Sequence, residues 1–388
     1  MTQAPPARQA PLLSAGLVWF LVCSFCGMAS FYLLMSVLPL DASAQGSSAA
    51  GLVTGVSMLG CVATELFLAA RLGRLGHVAT MALGAALMAI PDALLLTGHT
   101  LLLLLAVSLV RGVGLGILVV AGTGIAADLA PPGRRGETLG IYGVAVSLPA
   151  TVGLPAGVWL AREIGFDTVF LTALGFGLLA TVLAFSVPAR RHPLSPHSTT
   201  FSVLRLAGVR RLTLIFLTTT VATGIYATFL PIAMARTPAL LVSLALLAQT
   251  VASTSARWVA GRVGDRIGAR RLLLPAMATG IVGAVLAIGI GLAPVVVVGM
   301  LLFGAGFGAL QNLTLALMYE RAGEREFGGV GAVWNAAYDT GLGGGALVFG
   351  YVTEVTGYPV GFAATAAVLC LGLIPGIRDR LDHRSLNR

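Results

Sequence analysis

Gly261-Arg262-Val263-Gly264-Asp265-Arg266-Ile267-Gly268-Ala269-Arg270-Arg271 is a short, densely charged stretch between two long apolar runs. A related stretch, Ala70-Arg71-Leu72-Gly73-Arg74-Leu75-Gly76-His77, sits between two earlier apolar runs. Over the matching part, Ala70–Gly76 against Gly261–Gly268, it is one residue shorter, and the missing residue is the acid, absent between Gly73 and Arg74. Two versions of one charged joint in corresponding places point to a duplicated membrane protein.

Composition agrees. The 388 residues are 57% hydrophobic and 10% charged, with a mean hydropathy of +0.93, whereas a soluble domain carries roughly 25% charged residues. The formal charge of +9 does not point to nucleic acid: all 24 basic residues are arginines, clustered in a subset of loops, which is a topology signal. Cys23, Cys26, Cys61 and Cys370 all lie inside apolar runs and read as small packing residues. Cys23 and Cys26 have the C-x-x-C spacing, but no second pair or nearby His completes a metal site. The apolar run over residues 12–40 far exceeds the roughly 7–15 residues of a signal-peptide core, so it reads as an uncleaved first span.

A helical span needs roughly 20 apolar residues. Candidate spans fall near 12–40, 46–70, 77–97, 99–129, 136–162 and 166–188, then near 211–235, 238–260, 271–292, 294–319, 328–353 and 358–377. The expected fold is all-α, with twelve transmembrane helices in two pseudo-symmetric six-helix halves, residues 1–188 and 211–388. The polar segment 189–210 joins them as a linker, with room for a short amphipathic helix near Phe201. With the N-terminus inside, the inner loops collect nearly all the arginines and the outer loops hold only Arg162 and Arg236, which sets both termini in the cytoplasm. A constant shift of 192 residues lays Leu38-Pro39 on Leu230-Pro231 and Gly112, Gly114 and Gly116 on Gly304, Gly306 and Gly308. It also lays Gly136, Gly153 and Gly165 on Gly328, Gly345 and Gly357. Two parallel six-helix halves about an axis along the membrane normal form one large transporter layout.

At these residues the chain resembles the major facilitator superfamily. The 261–271 stretch resembles that family's loop signature, G-x-x-x-D-R-x-G-R/K-R/K, in its second-half position. Leu109-Val110-Arg111-Gly112-Val113-Gly114-Leu115-Gly116 resembles the arginine motif of the fourth helix. Ser147-Leu148-Pro149-Ala150-Thr151-Val152-Gly153-Leu154-Pro155-Ala156-Gly157 resembles the Gly/Pro motif of the fifth, which the family associates with exporters working as antiporters, although no Gly-Pro pair is present. The family usually preserves the first-half loop better; here only the second-half copy keeps its acid. The resemblance implies a cytoplasmic latch built from Gly261, Asp265, Arg266, Gly268, Arg270 and Arg271. Asp265 would meet the start of the fifth helix near Gly136-Glu137-Thr138, because a helix N-terminus favours an anion. The arginines would hold Asp265 or bind lipid phosphates.

Charges inside spans are costly and usually face a partner or a wet cavity. Arg111, mid-way along the fourth span, either forms a structural pair, with Asp92 as partner, or tunes the proton affinity of a nearby carboxylate. Asp339, Glu65 and Asp92 are the intramembrane acids, and a proton-coupled carrier needs at least one. Asp339 ranks first for proton or cation binding: it lies nearest mid-membrane, and Asn335, four residues earlier, shares its helix face. Glu65 ranks second and Arg257 occupies nearly the equivalent repeat position; the two either face each other across the halves or each reach the inner surface alone. Tyr32, Tyr226, Gln249, Gln311, Asn312, Trp334 and Asn335 are the candidate substrate-cavity residues, each equally able to hydrogen-bond between helices. A mostly apolar, aromatic cavity suits an amphipathic organic solute.

Neither a P-loop, a Ser/His/Asp set nor an H-x-x-x-H motif is present, so ATP-driven transport and enzymatic catalysis have no support. The expected function is proton-coupled export of a small drug-like or metabolite molecule by alternating access in a bacterial inner membrane. An importer or facilitator of the same fold and a non-transporting sensor or channel stay open as alternatives. The expected partners are a small-molecule substrate, protons and membrane lipids, with no cofactor, no metal and no nucleic acid, in a monomer.

Overall fold

The computed structural model of the chain describes residues 13–68, 72, 75–131, 134–188, 202–323 and 327–386. Within them the apolar runs are helices. The first set is α1 (Ala15–Gln45, interrupted at Ser36), α2 (Ser47–Phe67), α3 (His77–Leu95), α4 (Leu101–Leu129), α5 (Arg135–Glu163) and α6 (Phe166–Ala184). The second is α7 (Ala207–Ala233), α8 (Ala239–Ile267), α9 (Ala269–Leu286), α10 (Ala293–Ala322), α11 (Phe327–Thr356) and α12 (Tyr358–Asp379, turning at Gly372). Among the described residues, 11 of these helices are long and apolar enough to cross a membrane. The remaining one, α11, is just as long at 30 residues but carries Asn335, Tyr338, Asp339 and a glycine run, because much of its surface faces other helices.

The halves repeat each other in packing as well as in sequence. In the first, α2 packs on α4, α3 on α4 and α6, and α1 on α5 and α6; in the second, α8 packs on α10, α9 on α10 and α12, and α7 on α11 and α12. The 192-residue shift carries the contacts too. A side chain at Gly112 would meet the Ser57 carbonyl oxygen at 1.9 Å, and one at Gly304 would meet the Gln249 carbonyl oxygen at 2.1 Å. Gly112 maps on Gly304 and Ser57 on Gln249 under that one shift. Each pair is a place where two helix backbones touch, which only glycine permits. Gly304→Leu should therefore force α8 and α10 apart and cost about 1–3 kcal/mol or more. Thermal unfolding in detergent reads this as a clear drop in Tm, and a wild-type Tm would contradict the assignment.

The charged joint differs from its expectation. The 261–271 stretch is not a loop: α8 continues through Ile267 and α9 begins at Ala269, so Gly268 alone turns the chain, at φ +90°. Gly261 and Gly264 lie within α8 and face Asn312 and Leu313 of α10. In the first half Gly76 makes the equivalent turn at φ +81°, so the missing residue falls before it; residues 69–71, 73 and 74 of that copy lie outside the described residues. Most of the linker, 189–201, also lies outside them. Its end is a 3-10 turn at Ser202–Arg205 that buries Val203 in the second half, and α7 starts at Ala207, ahead of the expected 211.

Acids and bases lock each half at its arginine-rich end. His77 of α3 meets Asp128 of α4 at 3.2 Å. Arg321 of α10 grips Asp379 of α12 through both guanidinium nitrogens and donates to the Gly208 carbonyl of α7 at 3.1 Å. Arg270 approaches the same Asp379 at 3.8 Å. Asp379 in the C-terminal tail had no assigned part in the sequence reading.

Candidate functional site

The two halves meet along α2 with α11 and α5 with α8, the same pairing in both directions. Every hydrogen bond between halves among the described residues lies between the arginine-poor end and the level of Cys61. Arg162 at the end of α5 donates to the Met234, Ala235 and Thr237 carbonyls of the α7–α8 turn. Ser36 donates to the Ala227 carbonyl at 2.6 Å, the Thr54 and Thr228 hydroxyls pair at 2.9 Å, and the Ser47 and Tyr358 hydroxyls pair at 2.9 Å. Gly51 and Gly350 let α2 and α11 approach backbone to backbone on this side. The arginine-poor end is closed.

At the inner limit of that seam the intramembrane acids come together. The Glu65 carboxylate, the Asp339 carboxylate and the Cys61 thiol present ligand atoms that all lie within 4.8 Å of one another. Cys61 and Glu65 are four residues apart and so share one face of α2; Asp339 arrives from α11 in the other half. The Cys61 thiol donates to Asp339 Oδ2 at 3.4 Å. Both Glu65 oxygens are shut from solvent and receive no hydrogen bond from another donor. Asp339 is 7% exposed. Two ionised carboxylates this close in an apolar surrounding would repel each other strongly. Cys61 is thus more than packing, and its spacing from Glu65 was the available signal.

Beside this pair lies an aromatic wall. Trp334 stacks on Phe216 with ring centroids 4.5 Å apart and lies 6.1 Å from Tyr338, which in turn sits 6.3 Å from Phe307. The Trp334 indole N–H donates to Thr314 Oγ1 at 3.3 Å. Tyr32 of α1 and Tyr338 of α11 are electrostatic neighbours of both Asp339 and Arg257. Arg257 of α8 is exposed and donates to Gln311 Oε1 of α10 at 3.2 Å. It does not face Glu65 directly. Asn335 is half-buried on α11, one turn from Asp339, and Asn312 packs against Gly261.

Several expected site residues lie elsewhere. Arg111 and Asp92 pair with each other inside the first half, and Arg111 also donates to the Met88 carbonyl at 2.8 Å and the Ser30 carbonyl at 2.9 Å. At 2% and 0% side-chain exposure they form a closed ion pair within the first half. Tyr226 is fully buried between Phe303 and Phe362, so it belongs to the core of the second half and not to a cavity. Gln249 is 5% exposed, buried where α8 touches Gly304 of α10. Of the latch residues, Asp265 and Arg266 are exposed; Asp265 has no hydrogen-bond or ion-pair partner among the described residues. Glu137 at the start of α5 pairs with Arg134 instead, and Arg270 turns to Asp379.

Two parallel six-helix halves, joined at one end beside a pair of buried acids, form the layout of one large transporter fold. The chain belongs to the major facilitator superfamily, whose description it matches over residues 20–341 and again over 212–385. It is therefore a multi-pass membrane protein of a transporter family rather than of an enzyme family. Among relatives, the uncharacterized MFS-type transporter Rv1250 of Mycobacterium tuberculosis is 30% identical over 115 residues, which span 29% of this chain and 20% of that one. Among solved structures, a bacterial homolog of the human lysosomal transporter Spinster, in an inward-facing and unoccupied conformation, superposes with a TM-score of 0.75 at 13% identity. That match covers 94% of this chain and 96% of the other. The nucleoside transporter NupG superposes with a TM-score of 0.72 at 13% identity, over 94% of this chain and 98% of its own.

Proposed function

We propose that the protein exports a small organic solute in exchange for protons, by alternating access, with one proton shared between Glu65 and Asp339. The observation that carries this reading is that the two carboxyls come from opposite halves and meet at the inner limit of the seam between them. With a proton between them they hold the halves together. Without it, two negative charges in an apolar site repel, which favours opening of the arginine-poor end. The arginine count assigns that end to the outside of a bacterial inner membrane, with both termini in the cytoplasm. Protons arriving from outside then close the outer end and return the carrier to the inside, which is the direction antiport requires. A symporter would need proton and solute to close the outer end together. Reconstituted in proteoliposomes, the protein should accumulate solute against its gradient when the compartment receiving the solute is the more acidic; accumulation only in the opposite sense would favour symport.

In this reading the present state is open to the cytoplasm, so the latch is disengaged, and the exposed Asp265 fits that state. Asp265 acts when the inner ends close, by reaching the start of α5, while the arginines around it meet lipid phosphates. Asp265→Asn should leave the Tm unchanged and slow solute exchange roughly fivefold, the ~1 kcal/mol lower end of typical coupling between states. Exchange at the wild-type rate in proteoliposomes would remove the latch. The carrier works as a monomer, since both halves of the site come from one chain.

A further inference from the structure

We propose that the solute is an organic anion with a planar aromatic body, its carboxylate held by Arg257; this rests on the transport reading above and names its substrate class. The interior offers two charged walls of opposite sign, and they are not equally available. On the acid wall, Glu65 and Asp339 are turned on each other, and both Glu65 oxygens are shut from solvent. A cationic ligand finds no open carboxylate there. On the basic wall, Arg257 is exposed, and its one hydrogen-bond partner among the described residues is the neutral amide of Gln311. An arginine inside a span with no carboxylate to neutralise it is costly, and an anionic ligand offsets that cost.

The geometry extends this to a carboxylate. The planar guanidinium fork matches two carboxylate oxygens at once, which a simple point charge does not. Arginine can only donate, so Gln311 presents Oε1 to it and keeps its own N–H2 as a further donor. Next to this head-group site, Tyr338 and Trp334 are partly exposed, with ring centroids 6.1 Å apart, and the buried Phe216 and Phe307 back them from the core. Such a wall suits a flat apolar body. The 192-residue shift maps Glu65 on Arg257, so the duplication has placed the proton-binding group and the anion-binding group at equivalent sites in the two halves.

The test compares three probes of one shape, 2-naphthoate, 2-naphthamide and 2-naphthylmethylammonium, by calorimetry on the purified full chain. Wild type should bind naphthoate at least tenfold tighter than the amide or the ammonium. Arg257→Gln should lose that preference while keeping the amide affinity, and Arg257→Lys should keep part of it. Retained amide binding shows that the Gln variant is folded. The inference is overturned if naphthoate does not bind, if the amide or ammonium binds as tightly, or if Arg257→Gln keeps the carboxylate preference. A protein without that preference, whose pH response still depends on Glu65 and Asp339, would lose this inference and keep the proton reading.

Discussion

Asp339→Asn is expected to abolish uphill transport driven by a pH gradient, with a fall on the order of 100-fold, the upper part of the usual range for coupling free energies. Asparagine fills the same space and still accepts from Cys61, so the fold should survive. What it removes is the second ionisable partner of Glu65 across the seam between α2 and α11. Glu65 can then ionise without pushing the halves apart, and proton release no longer favours one state over the other. Solute counterflow without a gradient should persist, and its rate should no longer vary with pH. Proteoliposomes with an imposed pH step measure both quantities. Gradient-driven accumulation by Asp339→Asn at the wild-type level would take the proton site away from this residue.

Arg111→Ala is expected to produce the largest loss of stability, about 3–5 kcal/mol, because it leaves Asp92 charged and buried without a partner. The carbonyls of Met88 and Ser30 lose their donor in the same step. The double variant Arg111→Met with Asp92→Asn should recover much of that loss, since a buried ion pair replaced as a whole by neutral groups is often close to neutral. Thermal unfolding in detergent gives the order: wild type near the double variant, and Arg111→Ala well below both. The double variant should also keep the wild-type pH dependence of transport. A wild-type Tm for Arg111→Ala, or a pH response lost in the double variant, would return Arg111 to the coupling machinery.

Much of the fold was legible in the sequence. Apolar length located the spans, the arginines marked one set of ends, and one shift aligned the halves, because duplicated helices that touch at a glycine must keep both the glycine and the residue it meets. The charged stretch at 261–271 was misread as a loop because charge density marks the end of a span but not the end of a helix. Only Gly268 adopts a conformation that breaks it.

The site was legible in part. Asp339 and Glu65 stood out as acids in apolar runs, yet the sequence shows which face of a helix a residue occupies and not which helices meet there. The same limit left Arg111 between a structural and a coupling role, and left Arg257 between facing Glu65 and reaching the inner surface alone. Tyr226 was placed in the cavity because a tyrosine packed between two phenylalanines and one lining a channel look alike along a single helix. Asp379 was passed over because it lies among arginines that already had a role as a topology signal.

The central claim, that a proton shared by Glu65 and Asp339 holds the two halves together, is tested most directly by a distance. Spin labels at Thr97 and Leu292, exposed at the arginine-poor ends of opposite halves, report its opening by pulsed electron resonance in a Cys370→Ser background. With the wild-type acids the labels should move apart as pH rises. With Glu65→Gln and Asp339→Asn combined, the short distance should persist at every pH. An unchanged pH-dependent separation in the double variant would contradict the account.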